Sequence, residues 1–299
     1  MAYKSPQALE MAVKAAAQAS PQDTGRAIAG FYFHRLLCRV FSEPDSPFVL
    51  KGGLRLLAMT ADARYTRDID LATSKLDPDE AVAELCRLAG KDLGDFVRFE
   101  PRGWRPIKAE DEYRDGYTVS FDAYLGTKRM QQVSVDLVSD RLDCAPSGYI
   151  VPADRIEVDG IPSFPYPVYP ACKAVADKLC GIVEEHNGRP SSRVKDLVDL
   201  VVYALSEEFD NVELAATLRR ELGARSLPLP EAFAVPEAWR TAREGAYAKE
   251  ASKTRMPDKY KTMPEAEKLA AAFFSAPLGR PGEKLDWDRK SLSWKTKEE

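Results

Sequence analysis

Two aspartates one residue apart, in 68-DIDL-71, are the first candidates for chemistry in this chain. On a strand, residues two apart share a face, so Asp68 and Asp70 project together while Ile69 and Leu71 turn the other way. Two carboxylates so placed repel unless water screens them or a cation bridges them. Hard oxygen donors suit Mg2+, which takes one or two carboxylates and completes its shell with water and substrate phosphate. A solvated acidic sheet edge is the competing reading, and for an isolated pair it is the commoner one.

Further residues fit the metal-and-phosphate alternative. Gly52 and Gly53 follow the apolar run Phe48-Val49-Leu50 and precede 54-LRLLAM-59, where a strand turns into a helix. Glycine there lets backbone N–H groups approach an anion, although a tight turn alone would also select it. Asp136, in 133-VSVDLV-138, lies opposite the apolar face set by Val133, Val135 and Leu137, together with Ser134. If its strand neighbours the Asp-Ile-Asp strand, three carboxylates converge, enough for one or two metal ions in phosphoryl or nucleotidyl transfer. Asp122, on the preceding strand, is the competitor for that third position, and Glu100 is a weaker one.

Farther along, Lys178 falls at the margin of a helical apolar face, where lysines usually extend outward along apolar surface. Asp196 lies off the apolar side of its helix, facing either a cleft or a structural ion pair with Lys178. A lysine aimed into a cleft would neutralise a triphosphate. Arg64, Arg67, Arg189, Arg193 and Lys195 are the candidate basic surface around these positions.

The elements that must position these groups follow from periodicity. Residues 25–41 carry a helical stripe of Ile28, Phe31, Leu36 and Val40, and the amphipathic start, 1–20, reads as a further helix. Residues 76–90 read as a helix with acids at its start and Gly90 at its end. The segments 117-YTVSFDAYL-125 and 131-QQVSVDLVS-139 alternate as two antiparallel strands joined around Gly126-Thr127-Lys128. The proline-rich 162-PSFPYPVYP-170 reads as a linker, and 171–185, 193–206 and 264–274 read as helices. The tail, 285–299, holds two tryptophans and no pattern. The expected class is α/β (α+β): an N-terminal helical segment, 1–45, a small mixed-sheet core, 46–165, and a larger C-terminal helical domain, 166–299.

The chain has 299 residues, 30% of them charged, and a net charge of −4. That balance disfavours a generally basic nucleic-acid binder and leaves only local basic patches. Five scattered cysteines and two histidines make a zinc site a poor expectation. No run approaches about 20 apolar residues, so no membrane span is expected, and a reducing cytoplasm fits best.

Taken in order, 51-KGG, the R-x-T-x-D-I-D-L-like stretch ending at Leu71, 177-DKL and 193-RVKDLVDL-200 resemble the AbiEii/MenT-type nucleotidyltransferase toxins of the DNA polymerase β-like superfamily. The resemblance covers about half the chain, from 48 to 200. Fourteen residues lie between Gly53 and Asp68, a spacing similar to that family's. By position, it implies that Gly52 and Gly53 hold nucleotide phosphates, with Thr66 the hydroxyl and Arg67 the basic group beside them. Asp68 and Asp70 would hold Mg2+, and Asp136 is a looser match. Lys178 would contact the nucleotide, and Asp196 opens the D-L-x-D-L motif. The implied function is that of an abortive-infection type toxin, transferring a nucleoside monophosphate from an NTP to an RNA acceptor, the tRNA 3′ end. Pyrophosphate leaves, translation is blocked, and an antitoxin is encoded nearby. A protein acceptor, or a silent relative that only binds nucleotide or partner, are the alternatives. Gly53 stands where many superfamily enzymes have serine, and the C-terminal hundred residues match no motif.

Overall fold

The computed structural model describes residues 3–52, 68–107, 115–140, 142–152, 155–186 and 188–297. They divide into two compact units, one up to Tyr169 and the other from Pro170 onward.

The first unit opens with helices α1 (Pro6–Ala19) and α2 (Thr24–Val40). Ser5 caps α1 by accepting from the Ala8 N–H, and Leu9, Val13 and Ala17, four apart, form its buried stripe. Strands β1 (Val49–Lys51) and β2 (Asp68–Thr73) come next. Helix α3 (Pro78–Ala89) starts with a reciprocal capping box between Asp77 and Glu80 and ends at Gly90. Strands β3 (Val97–Pro106), β4 (Asp115–Leu125), β5 (Lys128–Ser139), β6 (Gly148–Ile150) and β7 (Tyr166–Val168) complete it. All seven strands form one mixed sheet in the order β3-β4-β5-β2-β1-β7-β6. The β2–β5 and β1–β7 pairs are parallel and the others antiparallel.

One face of this sheet is the core. Ile69, Leu71, Val119, Phe121, Val133, Val135 and Leu137 are buried there, and α3 packs across β3, β4 and β5 with α2 beside it. On β4 and β5, and at Asp68 and Asp70 of β2, the alternate residues stay half-buried or exposed on the other face, whereas Ala72, Val49, Leu50 and β7 are buried. In β4 and β5 alternation marks the two faces, because α3 packs on the apolar one.

Helix α2 departs from a simple amphipathic stripe. Arg35 and Arg39 are buried in it and converge on Asp95, with N–O distances of 2.6 and 2.7 Å. Arg39 also donates to the Val97 carbonyl, tying the helix to the start of β3. The proline-rich segment also differs from expectation: Tyr166–Val168 is a buried strand of the sheet, not a linker. Its pairing with β1 runs through Val168 and the Tyr169 N–H, which donates to Leu50 O at 2.9 Å. The missing N–H of Pro167 is not called on there.

The second unit contains helices α4 (Ala171–Val183), α5 (Val194–Ser206), α6 (Asn211–Ala224), α7 (Glu237–Ala242), α8 (Glu244–Ala251) and α9 (Met263–Gly279). Between α4 and α5 lies a short hairpin of β8 (Glu185–His186) and β9 (Arg189–Pro190), and β10 (Phe209–Asp210) precedes α6. The patternless tail is in fact a hairpin, β11 (Leu285–Asp288) and β12 (Ser293–Thr296), with β10 alongside β11. Trp287 and Trp294 pack on Phe273, and their indole N–H groups donate to Ala204 O and Phe273 O, both at 2.8 Å. Two tryptophans with satisfied N–H groups replace the alternation that longer strands would display. Among the described residues no helix is long and apolar enough to cross a membrane.

Burial alone would push the Asp95 carboxyl up, but hydrogen bonding to Arg39 and the Arg39 and Arg35 charges hold it below the usual aspartate range. Replacing Asp95 with Asn should cost the first unit about 3–5 kcal/mol, the usual cost of removing one partner from a buried ion pair. Hydrogen-exchange protection of α2 and β3 is the measurement. With a depressed folded pKa, the wild-type contribution is full above about pH 3.9 and is lost as pH falls through the folded value.

Candidate functional site

The parallel pairing of β2 with β5 sets Asp70 directly opposite Asp136, and Asp68 opposite Ser134. Because Ile69 and Val135 form the intervening pair and are buried, all three carboxylates belong to the uncovered face. Adjacent strands lie about 4.8 Å apart, and residues two apart on one strand about 6.6 Å, so the three acids form a tight triangle of positions. On the far side of β5, Thr118 of β4 is the register partner of Asp136, and its hydroxyl donates to that carboxylate at 2.7 Å. This hydrogen bond fixes the Asp136 side chain.

Gly52 backs the same carboxylates. It has φ 68°, and a Cβ there would lie 1.9 Å from Asp70 Oδ2. Glycine is thus required twice, for a left-handed backbone and for the close approach of the chain to a carboxylate. Lys51 is the cross-strand partner of Asp70, and its ammonium lies 4.3 Å from the Tyr169 ring centre. Asp122 does not join the group, since Arg129 holds it at 2.7 Å, and Glu100 pairs with Arg98.

Among the described residues, no three His, Cys, Asp or Glu side chains are already drawn together as a metal-binding group. The donor set nevertheless fits a hard divalent ion of the kind that takes one or two carboxylates and fills its shell from water and phosphate. Hard oxygens, a half-exposed face and a glycine whose missing side chain leaves room all suit it.

The second unit holds the lysine. Helix α4 is buried from Cys172 to Ile182, and only about 11% of the Lys178 side chain is exposed. The expectation of a lysine reaching outward from the margin of an apolar face is thereby corrected. Its ammonium is enclosed by α5, 2.6 Å from Asp199 Oδ2 and 3.3 Å from Asp196 Oδ1. Burial acts to lower its pKa, but Asp199 and then Asp196 more than offset this and hold it above the ordinary lysine range. Lys178 is therefore a fixed cation at neutral pH, not a proton carrier. Asp199, fully buried, is its nearer partner and was not singled out in the sequence, though it is the second acid of the 196-DLVDL-200 motif.

Asp196 is shared, because its other oxygen accepts from Arg193 Nε at 2.6 Å. Gly181 makes this possible: a Cβ there would come within 2.9 Å of Asp196 and 3.0 Å of Arg193. Trp239 locks the preceding turn by donating to Ser191 O at 2.5 Å. Arg193 and Lys195 line a cavity of about 480 Å3 with Asp196, and Lys249 of α8 joins them. Arg189, on β9, is exposed and is not part of that lining. Gly53, Arg64, Thr66 and Arg67 lie outside the described residues.

The family model for the AbiEii toxin, described as a nucleotidyl transferase of a type IV toxin–antitoxin system, matches residues 35–282. The fold is similar to that of MenT4, a nucleotidyltransferase toxin from Mycobacterium tuberculosis H37Rv, with TM-score 0.55 and 18% identity over 95% of this chain and 92% of that one. JHP933 from Helicobacter pylori is a more distant match, with TM-score 0.44 and 13% identity over 84% of this chain and 93% of that one. No curated protein matches in sequence.

Two outcomes test this geometry. Gly52→Ala should retain the fold by circular dichroism yet weaken Mn2+ binding, and a displacement of about 1 Å should cut catalytic turnover about a hundredfold. Lys178→Met, which strands two buried acids, should cost the second unit about 3–5 kcal/mol in urea unfolding, with partial recovery in Lys178→Met/Asp199→Asn. Because the folded pKa of Lys178 is raised, its stabilisation is full below about pH 10.4 and declines as pH rises toward the folded value.

Proposed function

The chain belongs to the AbiEii family of nucleotidyl transferase toxins, and we propose that it transfers a nucleoside monophosphate from an NTP to an RNA acceptor, the tRNA 3′ end. The observation that carries this reading is the register that sets Asp70 beside Asp136, with Asp68 on the same face and Gly52 against Asp70. Such a face holds phosphate chemistry together only when a cation offsets its charge.

Asp68, Asp70 and Asp136 would hold Mg2+, which when bound supplies charge neutralisation at the triphosphate. The carboxylate face orients the acceptor hydroxyl and takes up its proton. The hydroxyl oxygen bonds to the α-phosphorus, the bond from that phosphorus to the bridging oxygen of the β-phosphate breaks, and pyrophosphate leaves. In this reading Gly52 and Gly53 bring backbone N–H groups to the phosphates, with Thr66 and Arg67 beside them. Lys178, which donates to Asp199 and Asp196, is the position that the family resemblance assigns to nucleotide contact. Its fixed charge suits that role, since developing negative charge is best met by a group that need not reorganise.

Arg193, Lys195 and Lys249 around the second-unit cavity supply positive surface for nucleotide or acceptor, and Arg189 lies outside it. Type IV toxin–antitoxin systems pair such a toxin with an antitoxin, and we infer a cognate antitoxin encoded nearby. The carboxylates lie in a chain of net charge −4, so RNA contact must run through local basic groups.

Incubation with each α-labelled NTP, Mg2+ and either total tRNA or protein extract tests the reading. Label should enter tRNA, depend on Mg2+, and fall to background in Asp68→Ala. Label confined to protein would move the acceptor to a protein hydroxyl, and none with any NTP would leave a nucleotide- or partner-binding relative. Full activity in Asp68→Ala would remove the metal-site assignment.

A further inference from the structure

The carboxylates are the first members of two rows that cross the open face of the sheet. The register runs Asp70, Asp136, Thr118, Arg105 in one row and Asp68, Ser134, Ser120, Gly103 in the next. A groove of about 360 Å3 follows these rows from β5 to the edge strand β3. Its floor is Thr118, Ser120, Gln132 and Ser134, and its rim is Arg102 and Arg105.

The rim is produced by a local irregularity. The register shifts between Pro101 and Gly103, which makes Arg102 the extra residue of a bulge. Gly103 has φ 145°, and a Cβ there would meet nothing within 4 Å. The second row therefore ends in open space between two arginines. Both are exposed. Arg102 lies 3.9 Å from Asp122, which is already engaged by Arg129 at 2.7 Å.

The chemistry of this lining favours a polyanion. Among the described residues it is lined by two guanidinium groups, three hydroxyls, an amide and the Trp104 indole. In a chain of net charge −4, two exposed arginines on one rim are a local concentration of positive charge. The arginines stand three strand spacings, about 14 Å, from β2. That is far enough to meet an acceptor's backbone and not its reacting end. Hydroxyls and an amide can hydrogen-bond ribose and phosphate oxygens without demanding a base sequence.

We propose that this groove is the acceptor's track: the end of a single-stranded RNA crosses β5 and β4 with its backbone phosphates on Arg102 and Arg105. The inference rests on RNA being the acceptor and assigns the surface that holds it. Of the arginines selected from the sequence, the two that are described, Arg189 and Arg193, are not in this groove. Arg102 and Arg105 are more than thirty residues from Asp68 in the chain and reach its face only through β4 and β5.

The test uses the full chain with Arg102→Ala/Arg105→Ala, and Arg87→Ala, on the helix that packs on the apolar face of the sheet, as a control. Fluorescence anisotropy with a labelled 3′-terminal tRNA fragment, without NTP and over a range of salt, reads binding directly. The double variant should bind at least about tenfold more weakly, and its log–log salt slope should be shallower by about 1.4, the effect of two single-strand phosphate contacts. Its KM for RNA should rise in step while its KM for NTP stays at the wild-type value, and Arg87→Ala should match wild type in all three. Unchanged RNA affinity and slope would overturn the proposal, as would a raised KM for NTP at unchanged RNA affinity, which would assign the groove to the triphosphate. A wild-type protein that neither binds nor labels RNA removes the underlying acceptor reading. A double variant that labels RNA with unchanged KM removes the groove alone.

Discussion

The parallel pairing of β2 with β5 is the constraint on which the first unit's site depends. Antiparallel neighbours can be joined by a tight turn, but parallel ones need a crossover, here supplied by α3 and the β3–β4 pair. The crossover places α3 on the apolar face, and the opposite face is left to the carboxylates. A slip of one residue would send Asp70 or Asp136 into the core and an aliphatic side chain outward. The burial of Ile69, Leu71, Val135 and Leu137 resists that slip, so core packing holds the charged residues in position. Repulsion on one face is stabilised by hydrophobic contact on the other.

The second unit solves a different electrostatic problem. A lysine on a buried helix is costly unless its charge is met, and α5 meets it with two aspartates three residues apart. Those aspartates, the glycine that admits them and the tryptophan that locks the preceding turn form one cooperative arrangement. The buried Arg35, Arg39 and Asp95 group in the first unit is built on the same principle, linking a helix to a strand by charge where an apolar contact would serve equally well for stability.

Helices and strands were legible where one face is wet and the other dry. The capping residues of α3 and the alternation of β4 and β5 are local signals, and they survive folding because neighbours only reinforce them. Local signals failed where the partner lies far away in the chain. Tyr166–Val168 has prolines typical of a linker, yet it is a strand because β1 and β6 supply its pairing. Lys178 was placed at a margin because its own helix shows several apolar residues and cannot show that α5 closes over it. Trp287 and Trp294 make a hairpin through contacts with Phe273 that no short window contains.

The sequence by itself determined the chemical types: a D-x-D pair that must share one face, a third strand acid opposite its apolar neighbours, paired glycines after a strand, and the helical lysine and acid motifs that mark the family. Each depends on side-chain period or residue type, which the chain carries locally. Tertiary structure alone decided which strand lies beside which, and therefore that Asp136 and not Asp122 stands next to Asp70. It also made Asp199 the nearer partner of Lys178 and brought Arg102 and Arg105 into rows with the carboxylates. Strand order and helix closure arise from burying apolar surface across the whole unit, and that sum is not written in any one segment.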